Sequence, residues 1–181
     1  MIIFITGGAK NGKSSLAQDL AVAMAKGRKH YYLATMIPSD EEDHDRIRKH
    51  IADRAGMGFE TVECGRNILS CRDQIDPDST VLLDSATALL LNELFPDPMS
   101  CDMDVEAAYR CGDDLVTFAN SVQNIVIVSD YIYSDAARYD DITRTYQKCL
   151  ATIDRKLAAA SDTVLEVSAG NICVHKGDLL V

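Results

Sequence analysis

The chain has 181 residues, 47% of them hydrophobic and 25% charged, a balance that fits one soluble globular domain, 1–181, with a sizeable core. Its 28 acidic side chains outnumber 18 basic ones, and a net charge of −10 argues against a nucleic-acid or anionic-membrane partner. No apolar run approaches the ~18 residues of a membrane span, and the N-terminus enters a strand directly, without a signal-peptide pattern. Six scattered cysteines, Cys101 among them, lack C-x-x-C or metal-ligand spacing and read as reduced thiols of a cytoplasmic protein.

Ile2, Ile3, Phe4 and Ile5 form a short apolar run, the pattern of a strand buried on both faces. A glycine-rich turn follows, then a helix-period segment through Leu16, Leu20, Ala23 and Met24. Gly7, Gly12, Lys13 and Ser14 fit G-x-x-x-x-G-K-[ST] in the strand-turn-helix context that this motif requires. Glycine lets the backbone curl so that successive N–H groups face a phosphate, and the new helix adds its positive end. Gly7, Gly8, Ala9, Lys10, Asn11, Gly12 and Ser15 are therefore expected to cradle a nucleotide phosphate. Lys13 is expected to reach the β/γ-phosphates and Ser14 to ligate Mg²⁺.

Lys26 to Lys29 reads as a basic helix end stopped by Gly27, and 31–34 as a second strand. Ser39, with Glu42 three residues on, has the spacing of a capping box and opens a helix over 39–55, which Gly56 and Gly58 stop. Next come a strand over 59–63, a short helical piece over 67–75 and a turn over 76–78. The apolar strand 80–84 leads into an apolar helix over 86–95, then a loop around Pro96 and Pro98 and a helix over 105–122. A β-branched strand, 125–129, precedes a loop over 130–138 and a long helix over 139–160. Strand 163–167, a turn at Gly170-Asn171 and 172–175 form a C-terminal edge hairpin. Strands alternating with helices predict an α/β fold: a mostly parallel sheet with helices on both faces. Its active edge lies at the carboxyl ends of the strands, where the loops 6–13, 34–40, 84–87 and 129–138 converge.

Asp84 ends an apolar strand, where a P-loop protein holds a carboxylate for Mg²⁺, although an acid there also suits a helix cap. Arg46, His50 and Arg54 recur every fourth residue and share one helix face. That face is open to two readings. Either the arginines hold a polyphosphate against a neutral, nucleophilic imidazole, or the face is solvated with Arg46 and Arg54 paired to Glu42 and Asp53. His44 points elsewhere and cannot chelate with His50, while His30 and His175 stand alone and read as structural. The loop with Asp130, Tyr131, Tyr133 and Asp135 is either substrate-facing or ordinary surface.

In order along the chain, these residues resemble the bifunctional adenosylcobinamide kinase/adenosylcobinamide-phosphate guanylyltransferase family. The likeness begins at Thr6-Gly7-Gly8-Ala9…Gly12-Lys13-Ser14 and Tyr32-Leu33-Ala34-Thr35. Arg46-Ile47-x-x-His50, Arg54 and Phe59-x-Thr61-x-Glu63 resemble its R-I-x-x-H…R…W-x-T-x-E block, with phenylalanine for tryptophan. Asp84-x-x-Thr87, Asn92, Asp162, Val164, Ala169 and Gly170 continue it. The family's S/T-N-E-V-G-x-G-I-V-P stretch is represented only from Ser129-Asp130-Tyr131-Ile132-Tyr133, and its V-N-Q by Ile153-Asp154-Arg155. The resemblance implies a P-loop NTPase-like (RecA-like) fold and a homotrimer. It also implies Mg²⁺-dependent transfer from ATP or GTP to the hydroxyl of the corrinoid adenosylcobinamide, then transfer of GMP from GTP to the resulting phosphate. Arg46, Arg54, Glu63 and Asp84 are implied nucleotide ligands, and His50 the residue that is covalently guanylylated. A relative keeping one activity or using another acceptor, and a non-catalytic nucleotide-binding subunit, are the alternatives.

Overall fold

A computed structural model describes residues 1–97, 99–100, 102–133 and 137–179. Pro98, Cys101 and Asp135 lie outside these described residues. The strands are β1 (Ile2–Gly7), β2 (His30–Ala34), β3 (Glu60–Glu63), β4 (Thr80–Asp84), β5 (Asn124–Asp130), β6 (Thr163–Ser168) and β7 (Asn171–Lys176). They form one seven-stranded sheet in the order β3-β2-β4-β5-β1-β6-β7. Every pairing is parallel except β6 with β7, the hairpin at the edge.

The core follows from strand alternation, which turns successive side chains to opposite faces. Ile2 and Phe4 of β1, Val81 and Leu83 of β4, and Ile125 and Ile127 of β5 join one apolar cluster. Ile3, Ile5, Leu82, Val126 and Val128 join the other. The first face is covered by α3 (Ala86–Leu94), α4 (Val105–Ala119) and α5 (Asp141–Ala160), through Leu89, Leu90, Leu94, Leu115, Phe118, Leu150, Ile153 and Leu157. The second is covered by α1 (Lys13–Ala25), through Ala17, Leu20, Ala21 and Met24. Helices thus lie on both faces, as the alternating pattern implies.

One helix is different. Residues of α2 (Glu41–Asp53) are nowhere buried, and its sequence is mostly charged. Its cap is Asp40 rather than Ser39: the Asp40 carboxylate accepts from Asp43 N at 2.9 Å. Ser39 instead donates its own N–H and hydroxyl to the Asp43 carboxylate, so Asp43 and not Glu42 completes the cap. An extended Asp40 backbone places its carboxylate over the first turn, one residue later than the capping-box spacing implies. Smaller differences fall at element ends: α4 stops at Ala119, α5 starts at Asp141, and the piece after β3 is a 3₁₀ helix over Ile68–Gln74.

Candidate active site

Strand order decides which groups meet. β5 lies between β1, which leads into the glycine-rich turn, and β4, which ends at Asp84. In register, Gly7 lies opposite Asp130 and Asp84 opposite Val128, so Asp130 stands at the edge between the turn and Asp84. The first glycine is required by a close approach: a Cβ on Gly7 would lie 2.3 Å from Val167 O on β6. Gly12 has φ 88°, a left-handed conformation suited to glycine just before α1. Lys13, the first residue of α1, is only 5% exposed, and its ammonium lies 2.6 Å from both Gly8 O and Asp130 Oδ1.

Asp130 is itself held by a buried polar chain. Its backbone N–H donates to Thr87 Oγ1 at 2.8 Å, and Thr87 Oγ1 lies 3.2 Å from Ser129 Oγ. Ser129 donates to Asp154 Oδ1 at 2.8 Å, and Tyr133 donates to Asp154 Oδ2 at 3.0 Å. Burial pushes the Asp154 carboxyl up to about 6, against the pull of the Ser129 and Tyr133 hydrogen bonds and with help from nearby Asp130. Asn92 ties two neighbouring loops together by donating to Thr35 O and Gly65 O, both at 2.8 Å.

Asp84 is the meeting point of the other half. Tyr32 donates to its Oδ2 at 3.0 Å, and His50 Nδ1 lies 3.9 Å from the same oxygen. Burial raises the Asp84 carboxyl above its ordinary range. His50, the Tyr32 hydroxyl and the Ser14 hydroxyl oppose this, while Asp130 reinforces it. Side-chain direction explains how an exposed helix reaches this point. His50 turns inward onto Asp84, and Arg54, one turn on, lays its guanidinium 3.8 Å from the centre of the Tyr32 ring and donates to Thr61 Oγ1 at 3.3 Å. Phe59 supports the same ring edge-on, with centroids 6.3 Å apart.

The profile of the cobinamide kinase / cobinamide phosphate guanyltransferase family matches residues 3–174. The chain belongs to this family. It is accordingly a transferase, a kinase and guanylyltransferase of cobalamin biosynthesis. Among curated relatives, the bifunctional adenosylcobalamin biosynthesis protein CobU of Salmonella typhimurium is 29% identical, over 94% of this chain and 97% of that protein. The bifunctional protein CobP of Pseudomonas aeruginosa is 28% identical, over 97% and 98%. Solved structures with a similar fold include the flagellar accessory protein FlaH of Methanocaldococcus jannaschii, with TM-score 0.51, 14% identity and coverage of 98% of this chain and 78% of that one. A prototypical ATPase from the type III secretion system of pathogenic bacteria has TM-score 0.52 and 13% identity, covering 92% and 51%. These likenesses carry the P-loop NTPase fold.

Within the family block around α2, the sequence candidates divide. His50 and Arg54 turn toward the strands, whereas Arg46 stays 57% exposed and lies 3.6 Å from Asp43. The solvated pairing of Arg46 with Glu42 and Arg54 with Asp53 does not occur: Asp43 and Tyr32 are the partners. Glu63 is exposed at the carboxyl end of β3, on the same sheet edge as the glycine turn. Ala9, Lys10, Gly12 and Ser15 are exposed around the turn, while Gly8, Asn11 and Ser14 are half-buried and Asn11 donates to Val167 O at 3.4 Å. Among the described residues no cluster of three or more His, Cys, Asp or Glu side chains is placed to hold a metal. Spacing alone does not mark Tyr32 or Asp154 as site groups, and it leaves Asp130 open between a substrate-facing and a surface role. His30 bridges Arg28 O and Met57 O at the start of β2, away from this edge, and His175 pairs with Glu166 on β6.

Proposed function

We propose that both transfers run at this one sheet edge, with the nucleotide phosphates over the Gly7–Gly12 turn. In the kinase step Lys13 exchanges the Gly8 carbonyl and Asp130 carboxylate for the β/γ-phosphates of ATP or GTP and neutralises the charge that builds there. Ser14 and Asp84 are the residues that would hold Mg²⁺. A hydroxyl and a carboxylate are hard oxygen donors, the Ser14 hydroxyl is near enough to counter the upward shift of the Asp84 carboxyl, and phosphate oxygens and water ordinarily complete such a shell, so a third protein ligand is not required. When bound, the cation supplies charge neutralisation on the transferred phosphoryl group. The acceptor is the aminopropanol hydroxyl of adenosylcobinamide, which attacks the γ-phosphorus and gives its proton to solvent as the bond to the β,γ-bridging oxygen breaks and the nucleoside diphosphate leaves.

In the guanylyl step His50 attacks the α-phosphorus of GTP, pyrophosphate leaves, and GMP passes from the histidine to adenosylcobinamide phosphate. Arg54 and the more exposed Arg46 lie one turn either side, placed to meet a triphosphate, and Glu63 is a further nucleotide contact. The observation that carries this reading is the His50 ring turned onto Asp84, on the edge that holds Lys13, although the helix bearing it has no buried residue. Incubation with GTP, Mg²⁺ and cobinamide, with products read by mass, is expected to give cobinamide phosphate and then GDP-cobinamide.

A second reading rests on Tyr131 and Tyr133, which stand where the family pattern carries other residues and whose hydroxyls are engaged with Glu166 and Asp154. In it the chain keeps one activity or takes another small acceptor, and formation of cobinamide phosphate without GDP-cobinamide is its signature. We further place the enzyme in the cytoplasm as a single domain, in keeping with five free cysteines among the described residues. Membership of the family leads us to expect a homotrimer. Leu91 of α3, 46% exposed beside the buried Leu89, Leu90 and Leu94, is a candidate contact, and light scattering tests it.

A further inference from the structure

The two nitrogens of the His50 ring are not equivalent. Nδ1 is buried, makes no hydrogen bond, and faces Asp84 Oδ2 across 3.9 Å. The side chain is nonetheless 33% exposed, so the accessible edge of the ring is the one that bears Nε2. The helix that carries the ring is itself held at this point. Arg54 is fixed over the Tyr32 ring, and the Tyr32 hydroxyl is fixed on Asp84, so α2 is registered against the same carboxylate that faces His50.

We propose that Asp84 is the positioning residue of the guanylyl step: it keeps the proton on His50 Nδ1, and Nε2 is therefore the nitrogen that carries GMP. The inference rests on the covalent histidine reading above. A neutral imidazole has one N–H and one lone pair, and the partner of one nitrogen selects which is which. A buried nitrogen facing a carboxylate takes the proton, and the lone pair is left on the accessible one. The present separation is about an ångström too long for a hydrogen bond, and catalytic hydrogen bonds commonly tighten once substrate is in place.

The Nε2 lone pair forms the N–P bond, the bond from the α-phosphorus to the bridging oxygen breaks, and pyrophosphate departs with that electron pair. The ring gains positive charge, which the Asp84 carboxylate offsets through the Nδ1 proton. When a phosphate oxygen of the acceptor attacks the phosphorus, the N–P pair returns to Nε2 and the original tautomer is restored. Tyr32 and His50 both address Oδ2, which leaves Oδ1 for the cation of the phosphoryl step. One carboxylate thereby serves both reactions.

The test is made on the full-length ¹⁵N-labelled enzyme incubated with GTP and Mg²⁺ and held at alkaline pH, where a phosphoramidate survives. A ³¹P–¹⁵N correlation reads the attached nitrogen, since Nε2 couples to both ring protons and Nδ1 mainly to Hε1. Phosphorus on Nε2 is expected, and phosphorus on Nδ1 overturns the assignment. A parent that takes up no GMP contradicts the covalent reading itself, a result distinct from label on the wrong nitrogen. In Asp84→Asn, labelling is expected to slow by about 10²–10³ and to spread over both nitrogens. An Asp84→Asn enzyme that labels Nε2 as fast and as cleanly as the parent overturns the positioning role.

Discussion

The turn that carries Lys13 and the helix that carries His50 meet at one sheet edge but are built in opposite ways. Lys13 opens α1, whose inner face is buried on the sheet through Ala17, Leu20, Ala21 and Met24. The Lys13 side chain is 5% exposed, and its ammonium is held by two oxygens, one of them anchored through Thr87, Ser129 and Asp154. His50 sits on α2, which has no buried residue and reaches the strands through polar side chains. Apolar burial fixes the first region, and a histidine, an arginine stacked on a tyrosine and a capped first turn fix the second. A turn anchored on a buried strand and helix suits binding of phosphates. A nucleophile that must meet the α-phosphate in one step and leave room for the acceptor in the next is better carried on an element with little apolar anchorage.

That contrast can be broken from either side. Phe118, fully buried where α4 meets the sheet, is expected to cost about 3–5 kcal/mol of stability as Phe118→Ala, measured by urea unfolding. Lys13→Ala is expected to lower the phosphoryl-transfer rate by about 10²–10³ in a chain that still folds, because the lysine acts on phosphate charge, although loss of its pair with Asp130 lowers the melting temperature somewhat. Near-normal kinase turnover in that variant would remove Lys13 from the mechanism.

The polar chain behind Asp130 makes a pH-dependent prediction. Burial raises Asp154 from 3.8 to about 6, so the folded chain binds this proton more tightly than the unfolded one. The contribution is fully present below pH ~4 and is lost as pH rises through ~6, a loss on the order of 2–3 kcal/mol. Asp154→Asn keeps an acceptor for one of the two hydroxyls of Ser129 and Tyr133, offers an amide N–H to the other, which can turn to accept it, and cannot ionise. Its stability relative to the parent is expected to improve between pH 4 and pH 7, and a constant difference across that range contradicts the account. The smallest effect belongs to α2: Arg48→Ala, which severs exposed pairs with Glu41 and Asp45, is expected to leave the melting temperature unchanged. Amide hydrogens of α2 are expected to exchange well before those of α4, and equal protection would mean that α2 is as firmly anchored as the core.

The rigid half was largely legible in the sequence, since buried parallel strands write themselves as continuous apolar runs and the glycine motif has fixed spacing. Asp130 ends its β-branched strand as Asp84 ends an apolar one, so the same signal marks both. What sequence could not supply is register. Tyr32 looks like a core residue between His30 and Leu33, and the residue is buried, yet pairing of Ala34 with Asp84 brings its hydroxyl to the carboxylate. Likewise the spacing of Arg46, His50 and Arg54 defines one face without saying how much of it docks. Arg46 remains at the surface, where Asp43, whose carboxylate also accepts from Ser39 at the exposed first turn, stands one turn before it.

The central claim is that His50 carries the guanylyl group. Intact mass of the enzyme after incubation with GTP and Mg²⁺ alone tests it most directly, with His50→Ala in parallel. The parent is expected to gain one GMP through an acid-labile, base-stable bond. His50→Ala is expected to gain none, while still phosphorylating cobinamide with Lys13, Ser14 and Asp84 intact. A His50→Ala enzyme that still gains GMP, or a parent that never does while it phosphorylates cobinamide, would contradict the account.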